Sequence, residues 1–483
     1  MRKFLFFSLI SLSMLVACNK TPETIYIIST NDIHATIDAM PELATLVKEF
    51  KTRGEVILVD SGDRVSGNAY VDDATESGMP IIELMNAVGY DLVTVGNHEF
   101  DKGTNALATM IQGSEFEWLC ANANSEIEGL RFAPSKILNI AGVDLGFVGI
   151  VATDNNGYPL GKRSSYEGVT FSDDLTTAIS ACEEITSECD FVVLLSHMGL
   201  DRDMRLAEQT DACDWIAGGH SHDRLSEGTN NTHISQNNKN IRYVTVATLT
   251  TSCGEITEIG YEQVDMSTIE EDASMRELVD RVKLSDPTLN EPVARANADA
   301  THPGVANLTV TALKEYPYPD GFVPEVVFYH FGGVRLSEIK AGDIRRVDIL
   351  NNDPFLSTIY IGEMTPQQME QFILEKYNSG SPENPDKESH YPYFRSNIPY
   401  QIVLGTEPES QPDAKDIVWE LEPERKYRVA MCNYIAESYI DESIVQSQLH
   451  DTEISVREAL LRLVEGFGES GYTPDNTLYQ TEL

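Results

Sequence analysis

The sequence has 483 residues, of which 41% are hydrophobic and 8% aromatic. A chain of this length accommodates two or three domains of about 100–200 residues, and its apolar content excludes a wholly disordered protein. Asp and Glu number 77 against 35 Lys and Arg, which gives a formal net charge of −42. Because so acidic a chain repels other polyanions, we expect no nucleic-acid polymer among its partners.

The first 17 residues are predicted to be a bacterial lipoprotein signal peptide. Arg2 and Lys3 precede an apolar run over residues 4–16 that is too short for a stable membrane span. The run ends in Leu-Val-Ala-Cys, which resembles a lipoprotein cleavage site with Cys18 as the lipidated residue. We therefore expect a lipid anchor at Cys18, a tether over residues 18–24 and a location in the cell envelope outside the cytoplasm, in the periplasm or at the cell surface. An ordinary signal peptide with a chance cysteine is the alternative.

Short β-rich runs then alternate with amphipathic helical patterns up to about residue 259. The predicted strands cover residues 25–29, 56–60, 92–95, 143–151, 191–195 and 215–217. The clearest predicted helices cover residues 41–51, 80–88 and 175–185. This alternation predicts a layered α/β domain, which we place at residues 25–264. The polar residues 229–240 are interpreted as a surface loop.

The sequence changes character after residue 264. Residues 268–284 read as one exposed helix, and Asp286-Pro287 should end it, so residues 265–286 are predicted to be a linker helix. The remaining residues, 287–483, mix helical and strand patterns and are predicted to form an α+β domain.

Polar motifs follow the predicted strands of the first domain. In open α/β sheets, ligands collect beyond the carboxyl ends of the strands, so we expect these motifs to share one site. Their carboxylate, imidazole and amide groups suit Mn²⁺, Zn²⁺, Fe or Mg²⁺. The motifs include five of the ten histidines, and they are Asp32-Ile33-His34, Gly62-Asp63, Gly96-Asn97-His98-Glu99, Ser196-His197 and Gly218-Gly219-His220-Ser221-His222.

In this order the motifs resemble those of the calcineurin-like metallophosphoesterases. With its long C-terminal part, the chain is similar to the 5′-nucleotidase and UDP-sugar hydrolase family. The resemblance implies two divalent metal ions bridged by Asp63. One ion would also bind Asp32, His34 and His222, and the other would bind Asn97, His197 and His220. Asp60 and Glu99 lie near the motifs and are interpreted as supporting or helix-capping groups.

The resemblance also implies a reaction. Two metal ions would activate a water for attack on a phosphate ester and hold the phosphoryl oxygens. His98 would stabilise developing charge or protonate the leaving oxygen, and Asp101 would orient its ring. The implied substrate is a 5′-nucleotide or a related small phosphate outside the cytoplasm. The alternatives are a phosphatase or cyclic phosphodiesterase with other substrates, and a binding lipoprotein without turnover.

The second domain matches the family less closely. Arg335 ends a segment similar to the family's Asn-Gly-Gly-Gly-Ile-Arg, and Phe355 belongs to one similar to its Pro-Phe segment, so both are predicted to bind substrate. Thr301 stands where a second arginine is expected.

One aromatic wall of the family's base-binding clamp is replaced in this sequence. Glu437-Ser438-Tyr439-Ile440 stands where the family has Gly-Gly-Asp-Gly and an aromatic residue. Three nearby aromatic residues are candidate substitutes, with a hydrophobic patch under a loop as the alternative: Tyr391, Tyr393 and Phe394.

Overall fold

The computed structural model describes residues 22–379, 394–405 and 414–482. The predicted signal peptide and Cys18 lie outside these ranges, as do most of the predicted tether, Tyr391 and Tyr393. Within the described ranges, no helix combines the length and the hydropathy that a membrane span requires.

Strands and helices alternate through the first part of the chain. Its strands are β1 (Glu23–Thr30), β2 (Glu55–Asp60), β3 (Leu92–Thr94), β4 (Glu117–Leu119), β5 (Ala123–Ser125), β6 (Ser135–Ile140), β7 (Val143–Val151), β8 (Val169–Phe171), β9 (Phe191–His197), β10 (Trp215–Gly218), β11 (Arg224–Thr229), β12 (Thr232–Asn237), β13 (Tyr243–Ser252) and β14 (Glu255–Asp265). Its helices are α1 (Met40–Lys51), α2 (Ala69–Asp72), α3 (Met79–Val88), α4 (Thr104–Gly113), α5 (Asp174–Thr186), α6 (Leu200–Gln209) and α7 (Ala273–Leu284).

Most of these strands form two six-stranded sheets. One sheet has the order β14-β13-β1-β2-β3-β4, and the other has the order β11-β12-β10-β9-β7-β6. In the first sheet β1, β2 and β3 are parallel. In the second sheet β7, β9 and β10 are parallel. Parallel pairing brings the carboxyl ends of these strands to one edge of each sheet, where ligand-binding loops collect.

The two sheets pack face to face and are covered by helices. Ile25 and Ile27 of β1 lie in one apolar cluster with Phe147 and Leu195 of the other sheet. Ile28 belongs instead to the cluster formed with α1 and α3, because successive residues of a strand point to opposite faces. Helices α5 and α6 contribute to the cluster on the outer face of the second sheet. The predicted layered α/β fold is thereby confirmed.

The predicted surface loop at residues 229–240 was wrong. It contains β12, in which Thr232, Ile234 and Gln236 are fully or almost fully buried. The Thr232 hydroxyl donates a hydrogen bond to the Cys213 carbonyl at 2.8 Å, so a polar side chain is satisfied inside the protein. The prediction failed because polar composition was equated with exposure, whereas buried polar groups need only internal partners.

Helix α7 is shorter and more buried than the predicted helix over residues 268–284. It begins after Asp272, whose side chain accepts a hydrogen bond from the Met275 amide. Met275, Val279 and Val282 are buried in the cluster that contains α1, so the helix is amphipathic rather than exposed on all sides. It ends before Asp286-Pro287, as predicted. Its role as a linker stays a prediction.

The second part of the chain has mixed sheets. Its strands are β15 (Pro292–Ala296), β16 (Ala300–Thr301), β17 (Val326–His330), β18 (Glu338–Ile339), β19 (Gly342–Arg345), β20 (Thr358–Met364), β21 (Phe394–Ser396), β22 (Tyr400–Leu404), β23 (Ala414–Trp419), β24 (Tyr427–Cys432), β25 (Leu449–Ser455) and β26 (Gln480–Glu482). Its helices are α8 (His302–Glu315), α9 (Arg346–Asn352), α10 (Pro366–Ser379), α11 (Asn433–Tyr439), α12 (Glu442–Gln448) and α13 (Val456–Glu465). The largest sheet has the order β21-β17-β24-β20-β25, and its buried side chains form a core with those of α8 and α13. The predicted α+β architecture is confirmed.

Polar contacts join the two parts of the chain. The Arg457 guanidinium donates to the Asp73 carboxylate at 2.7 Å, and the Tyr70 hydroxyl donates to the Asn290 side chain at 2.5 Å. Arg457 is only 5% exposed, so this ion pair is better shielded from water than a surface pair. These contacts hold the second part beside the loops that follow β2.

Candidate metal centre

The predicted ligands are brought together at the carboxyl ends of the central strands. Asp32 follows β1, Asp63 follows β2 and Asn97 follows β3. His197 is the last residue of β9, and His220 comes two residues after β10. The two sheets face each other, so loops from both sheets contribute to a single site. The structure groups the six aspartate and histidine side chains among the seven predicted ligands into two clusters.

The first cluster consists of Asp32, His34 and His222. Nε2 of His34 lies 3.0 Å from Nε2 of His222, and Oδ1 of Asp32 lies 3.4 Å from Nε2 of His222. All three residues have positive φ angles, of 49°, 47° and 58°. This backbone conformation is uncommon for residues other than glycine and is often found at functional sites. The loops are therefore bent so that the three side chains converge.

The second cluster consists of Asp63, His197 and His220. Nε2 of His197 lies 3.0 Å from Oδ2 of Asp63, and Nδ1 of His220 lies 3.0 Å from Oδ1 of Asn97. The predicted amide ligand Asn97 therefore adjoins this cluster. Asp63 groups here with His197, as the resemblance implies, and its bridging role toward the first cluster stays a prediction.

Hydrogen bonds leave the converging imidazole nitrogens suited to bind a cation. Nδ1 of His34 donates to the Ser66 carbonyl at 3.2 Å, and Nδ1 of His197 donates to the Ser61 carbonyl at 2.7 Å. Each Nε2 can then carry a lone pair. Nε2 of His197 is buried, and its 3.0 Å contact with Oδ2 of Asp63 does not have the geometry of a hydrogen bond. A buried nitrogen without a partner beside a carboxylate is what a divalent cation would satisfy, so the residues fit such an ion.

The charge states of Asp32 and His220 favour cation binding, whereas His197 must first lose a proton. Burial raises the pKa of Asp32, but the nearby His222 and His197 more than offset this effect and lower the pKa to about 2. Burial lowers the pKa of His220 to about 4. Burial also lowers the pKa of His197, but the Asp63 carboxylate outweighs it and raises the pKa to about 9. A cation bound at His197 would therefore displace a proton.

The Glu99 carboxylate supports the ligand loops without joining either cluster. It accepts hydrogen bonds from the backbone amides of Asp63 at 3.0 Å, Arg64 at 2.8 Å and Gly96 at 2.5 Å. Gly96 is required sterically, because a Cβ at this position would lie 2.1 Å from Oδ1 of Asp63. The sequence interpretation of Glu99 as a supporting group agrees with these contacts.

The Asp60 carboxylate acts similarly from the end of β2. It accepts hydrogen bonds from the Gly62 amide at 3.1 Å and from the Arg64 guanidinium at 2.9 Å. Both loop supports were therefore placed correctly beside the site and outside the clusters.

His98 lies beside the clusters and is paired with Asp101. Its Nδ1 donates to Oδ2 of Asp101 at 2.7 Å, and its Nε2 lies 4.0 Å from Oδ2 of Asp63. The Ser66 hydroxyl donates to the same Asp101 oxygen at 2.5 Å. Burial lowers the pKa of His98, but the carboxylates of Asp101 and Asp63 outweigh it and raise the pKa to about 10. The two carboxylates therefore favour the protonated form of the ring.

The two predicted substrate-binding residues of the second domain lie next to His98. The Phe355 ring centroid is 5.9 Å from that of His98. The Arg335 guanidinium lies 4.8 Å from the Phe355 ring centroid. A phosphate ester held at the clusters would thus have an arginine and an aromatic ring within reach.

The other expectations for the second domain fare differently. Phe394 is fully buried and packs against Phe372 and Tyr439. The prediction that it substitutes for the missing wall of the base-binding clamp was therefore wrong. The apolar-packing alternative holds for this residue. Tyr434 is 38% exposed, and its ring lies 4.5 Å from that of His330.

Sequence reasoning missed two polar residues that touch the ligand loops. The Asn31 side chain donates to Oδ2 of Asp32 at 2.7 Å, and the Gln236 side chain contacts the loop between His220 and His222. The only indication of a role for Asn31 in the sequence was its position next to the predicted ligand Asp32. Gln236 lies in the segment interpreted as a surface loop, and the sequence gave no indication of its role.

Comparison with protein families agrees with this architecture. Residues 25–224 match the calcineurin-like phosphoesterase family, and residues 283–440 match the 5′-nucleotidase C-terminal domain. The fold and the two clusters define a calcineurin-like metallophosphoesterase. With these two domains in this order, the chain has the domain organisation of the 5′-nucleotidase family.

Individual relatives share moderate identity with this chain. The endonuclease YhcR of Bacillus subtilis (strain 168) is 27% identical over 400 residues, covering 72% of this chain and 32% of the relative. The trifunctional nucleotide phosphoesterase protein YfkN of the same organism is 24% identical over 497 residues, covering 89% of this chain and 33% of the relative. The chain thus spans about a third of the length of these two curated relatives.

A solved structure shares the whole fold. The crystal structure of the 5′-nucleotidase precursor from Thermus thermophilus superposes with a TM-score of 0.75 at 19% sequence identity, covering 95% of this chain and 99% of that chain. This similarity establishes that both domains adopt the fold of that protein.

Proposed function

We propose that this chain hydrolyses phosphate esters with the help of two divalent cations, and that its substrates are 5′-nucleotides or related small phosphates. The observation that carries the proposal is the position of His98. Its ring lies between the two cation-binding clusters and the Phe355–Arg335 pair of the second domain. A phosphate placed there would meet a positive centre on one side and groups able to bind the rest of the molecule on the other.

The two clusters would hold the cations through Asp32, His34 and His222 on one side and Asp63, Asn97, His197 and His220 on the other. When bound, such cations acidify water and stabilise negative charge on phosphoryl oxygens. The protein contributes the geometry, because the buried ligand loops are fixed before substrate arrives. Preorganised charge of this kind requires no rearrangement during the reaction.

His98 would act on the leaving oxygen. A protonated imidazole held by Asp101 can donate a hydrogen bond or a proton to an oxygen that gains charge. Asp101 fixes the tautomer and ring orientation, and Ser66 fixes Asp101. This retained pair is the reason to favour turnover over a binding lipoprotein without catalysis.

The nucleotide part of the proposal rests on the second domain. Arg335 offers a cation to a ribose or phosphate oxygen, and Phe355 offers an aromatic face. The relative YfkN is, by its name, a nucleotide phosphoesterase, which supports the same substrate class.

A phosphatase or cyclic phosphodiesterase acting on other substrates is the second candidate. It is favoured by the buried position of Phe394, which cannot stack on a base, and by the presence of Thr301 where an arginine was expected. Both the amide and the hydroxyl of Thr301 donate to the Asn476 side chain.

The proposed location is the cell envelope, with the chain attached to a membrane through a lipid at Cys18. This part rests on the basic start, the apolar run and the cleavage-site pattern of the sequence. Mass spectrometry of the mature protein from its native membrane tests it directly. A diacylglyceryl-modified Cys18 at the new N-terminus is expected, and an unmodified or absent Cys18 would contradict it.

A hydrolysis screen tests the reaction and the substrate class together, and its products are separated by chromatography because cyclic nucleotides and nucleotide sugars can be hydrolysed without releasing inorganic phosphate. The purified protein is supplied with Mn²⁺ and assayed on nucleoside monophosphates, nucleotide sugars, cyclic nucleotides and sugar phosphates. We expect the highest kcat/KM for a nucleoside 5′-monophosphate and none after chelation of the metal. A higher value for a cyclic nucleotide or a sugar phosphate would favour the second candidate, and no hydrolysis of any substrate would contradict the reaction.

A further inference from the structure

The loop over residues 219–223 contains ligands of both clusters. His220 belongs to the second cluster and His222 to the first, with only Ser221 between them. Both histidines have positive φ angles, of 76° and 58°. The conformation of this short loop therefore sets where the two groups of ligands lie relative to each other.

Three hydrogen bonds from one side chain hold this loop. Oε1 of Gln236 accepts from the Ser221 hydroxyl at 3.0 Å and from the Asp223 amide at 3.2 Å. Nε2 of Gln236 donates to the Gly219 carbonyl at 3.1 Å. Gln236 is fully buried in β12 and contacts the loop on both sides of each histidine. The side-chain amide provides both an acceptor and a donor, so this one uncharged residue satisfies groups on both sides of each histidine.

The residues that follow Gln236 hold a ligand of the first cluster. The Asn237 amide donates to Oδ1 of Asn31 at 3.0 Å, and Nδ2 of Asn31 donates to the Asn238 carbonyl at 2.8 Å and to Asp32. The Asn240 amide donates to the Asp32 carbonyl at 2.8 Å. Residues 236–240 thus contact both ligand loops, although they contain no ligand.

We propose that Gln236 is a positioning residue that fixes the relative placement of the two cations, with residues 237–240 acting on Asp32 from the same strand end. The inference rests on the proposed two-cation function. Groups that orient metal ligands typically contribute about 10–100-fold to metal affinity or activity. Since the 219–223 loop carries a histidine of each cluster, loss of the Gln236 side chain weakens the binding of both cations rather than one.

The test compares Mn²⁺ binding by the parent protein and by two Gln236 variants, using equilibrium dialysis with elemental analysis. Gln236→Met keeps the size of the side chain and removes all three hydrogen bonds. We therefore expect the affinity for both equivalents of Mn²⁺ to fall by about 10–100-fold. Gln236→Glu keeps the acceptor for Ser221 and Asp223 and loses the donor to Gly219, so it should fall between Gln236→Met and the parent.

The matched control is Gln263→Met. The Gln263 side chain donates to the Gln236 carbonyl at 3.0 Å, and its other hydrogen bonds also lie outside residues 219–223. It should retain the metal affinity of the parent. If Gln236→Met does not fold, Ser221→Ala removes one of the three hydrogen bonds at a partly exposed position and should still weaken both equivalents, by a smaller factor.

The outcomes separate the two claims. Parent-like binding of both equivalents by a folded Gln236→Met, or by Ser221→Ala where the former does not fold, would overturn the positioning role while leaving the proposed function intact. Weaker binding of only one Mn²⁺ equivalent would overturn the claim that Gln236 positions the ligands of both clusters. A parent protein that binds no divalent cation would contradict the proposed function itself.

Discussion

The imidazole of His98 faces two carboxylates, one from Asp101 and one from Asp63. Only Asp101 is within hydrogen-bond distance, so the ring is oriented by a residue outside the two clusters. At the scale of single residues, this arrangement separates the group proposed to act on the leaving oxygen from the groups proposed to hold cations.

Replacement of His98 should therefore affect turnover and leave metal binding unchanged. In His98→Ala we expect the parent's metal content and a kcat lower by about 10²- to 10⁴-fold, the usual loss when acid–base assistance is removed. Asp101→Ala should lower kcat less, since Asp101 orients the ring without meeting the substrate. Metal analysis and steady-state kinetics on the same samples provide the measurement. An unchanged kcat in a metal-replete His98→Ala would exclude the assigned role.

At the scale of elements, the sequence was most informative where apolar runs ended in motif residues. The ends of β1, β2 and β10 were predicted within one residue, because these runs are buried on both faces and the polar ligands begin directly after or shortly after them. β12 was missed because Ser235, Gln236 and Asn237 are buried polar residues whose partners are distant in the sequence. Hydrophobic periodicity carries no information about such partners.

The convergence of the ligands was predicted from the position of the motifs at strand ends and from their order along the chain. Asp32 and His222 are 190 positions apart in the sequence, and only their strand ends place them together. The segment Asn433-Tyr434-Ile435-Ala436 resembles the family's Asn-Phe-Leu-Ala segment, but the exposure of Tyr434 beside His330 depends on how β17 and α11 pack, which a pattern of residues does not specify.

His330, the last residue of β17, should make stability depend on pH. Burial, aided by the charges of Lys376 and Arg335, lowers its pKa to about 3, whereas an unfolded histidine has a pKa of about 6.5. Between these values the unfolded chain binds more protons, so this contribution is complete above pH 6.5 and is lost as the pH falls. In His330→Asn the decrease in unfolding free energy from pH 7 to pH 5 should be smaller by about 1–2 kcal/mol.

Urea denaturation of the parent and the variant at both pH values measures this difference. His450→Asn is a suitable control because His450 is exposed, and it should retain the pH dependence of the parent. Identical pH dependence in His330→Asn and the parent would contradict a buried neutral imidazole at β17.

At the scale of the whole molecule, we propose that the second domain supplies the contacts that select a substrate. Arg335 and Phe355 approach His98 from that domain, and the Arg457–Asp73 pair joins it to the first domain. Binding energy from the nucleoside can therefore be used at a phosphate held by the first domain. With Phe394 buried, we propose that Phe355 and the exposed ring of Tyr434 are the aromatic faces available to a base.

The ratio of kcat/KM for AMP to that for ribose 5-phosphate measures this selection. Because a base–aromatic stack contributes about 1–3 kcal/mol, loss of one wall should reduce the discrimination by roughly ten- to a hundredfold. Arg335→Ala should lower kcat/KM by about tenfold or more, as expected for a lost hydrogen bond to a charged group, and leave the metals bound. A preference for AMP above about a thousandfold would show that a complete base clamp exists.

The central claim is that two divalent cations held by these clusters produce phosphoesterase activity, and a metal titration tests it most directly. Chelator-treated protein is titrated with Mn²⁺ while hydrolysis of p-nitrophenyl phosphate is followed, with Asp63→Asn as the matched control. We predict no hydrolysis without metal, a rise to a plateau at two equivalents per chain, and little activity in Asp63→Asn at the same concentrations. Equal activity with and without metal, or no activity at any Mn²⁺ concentration with both equivalents bound, would contradict the account.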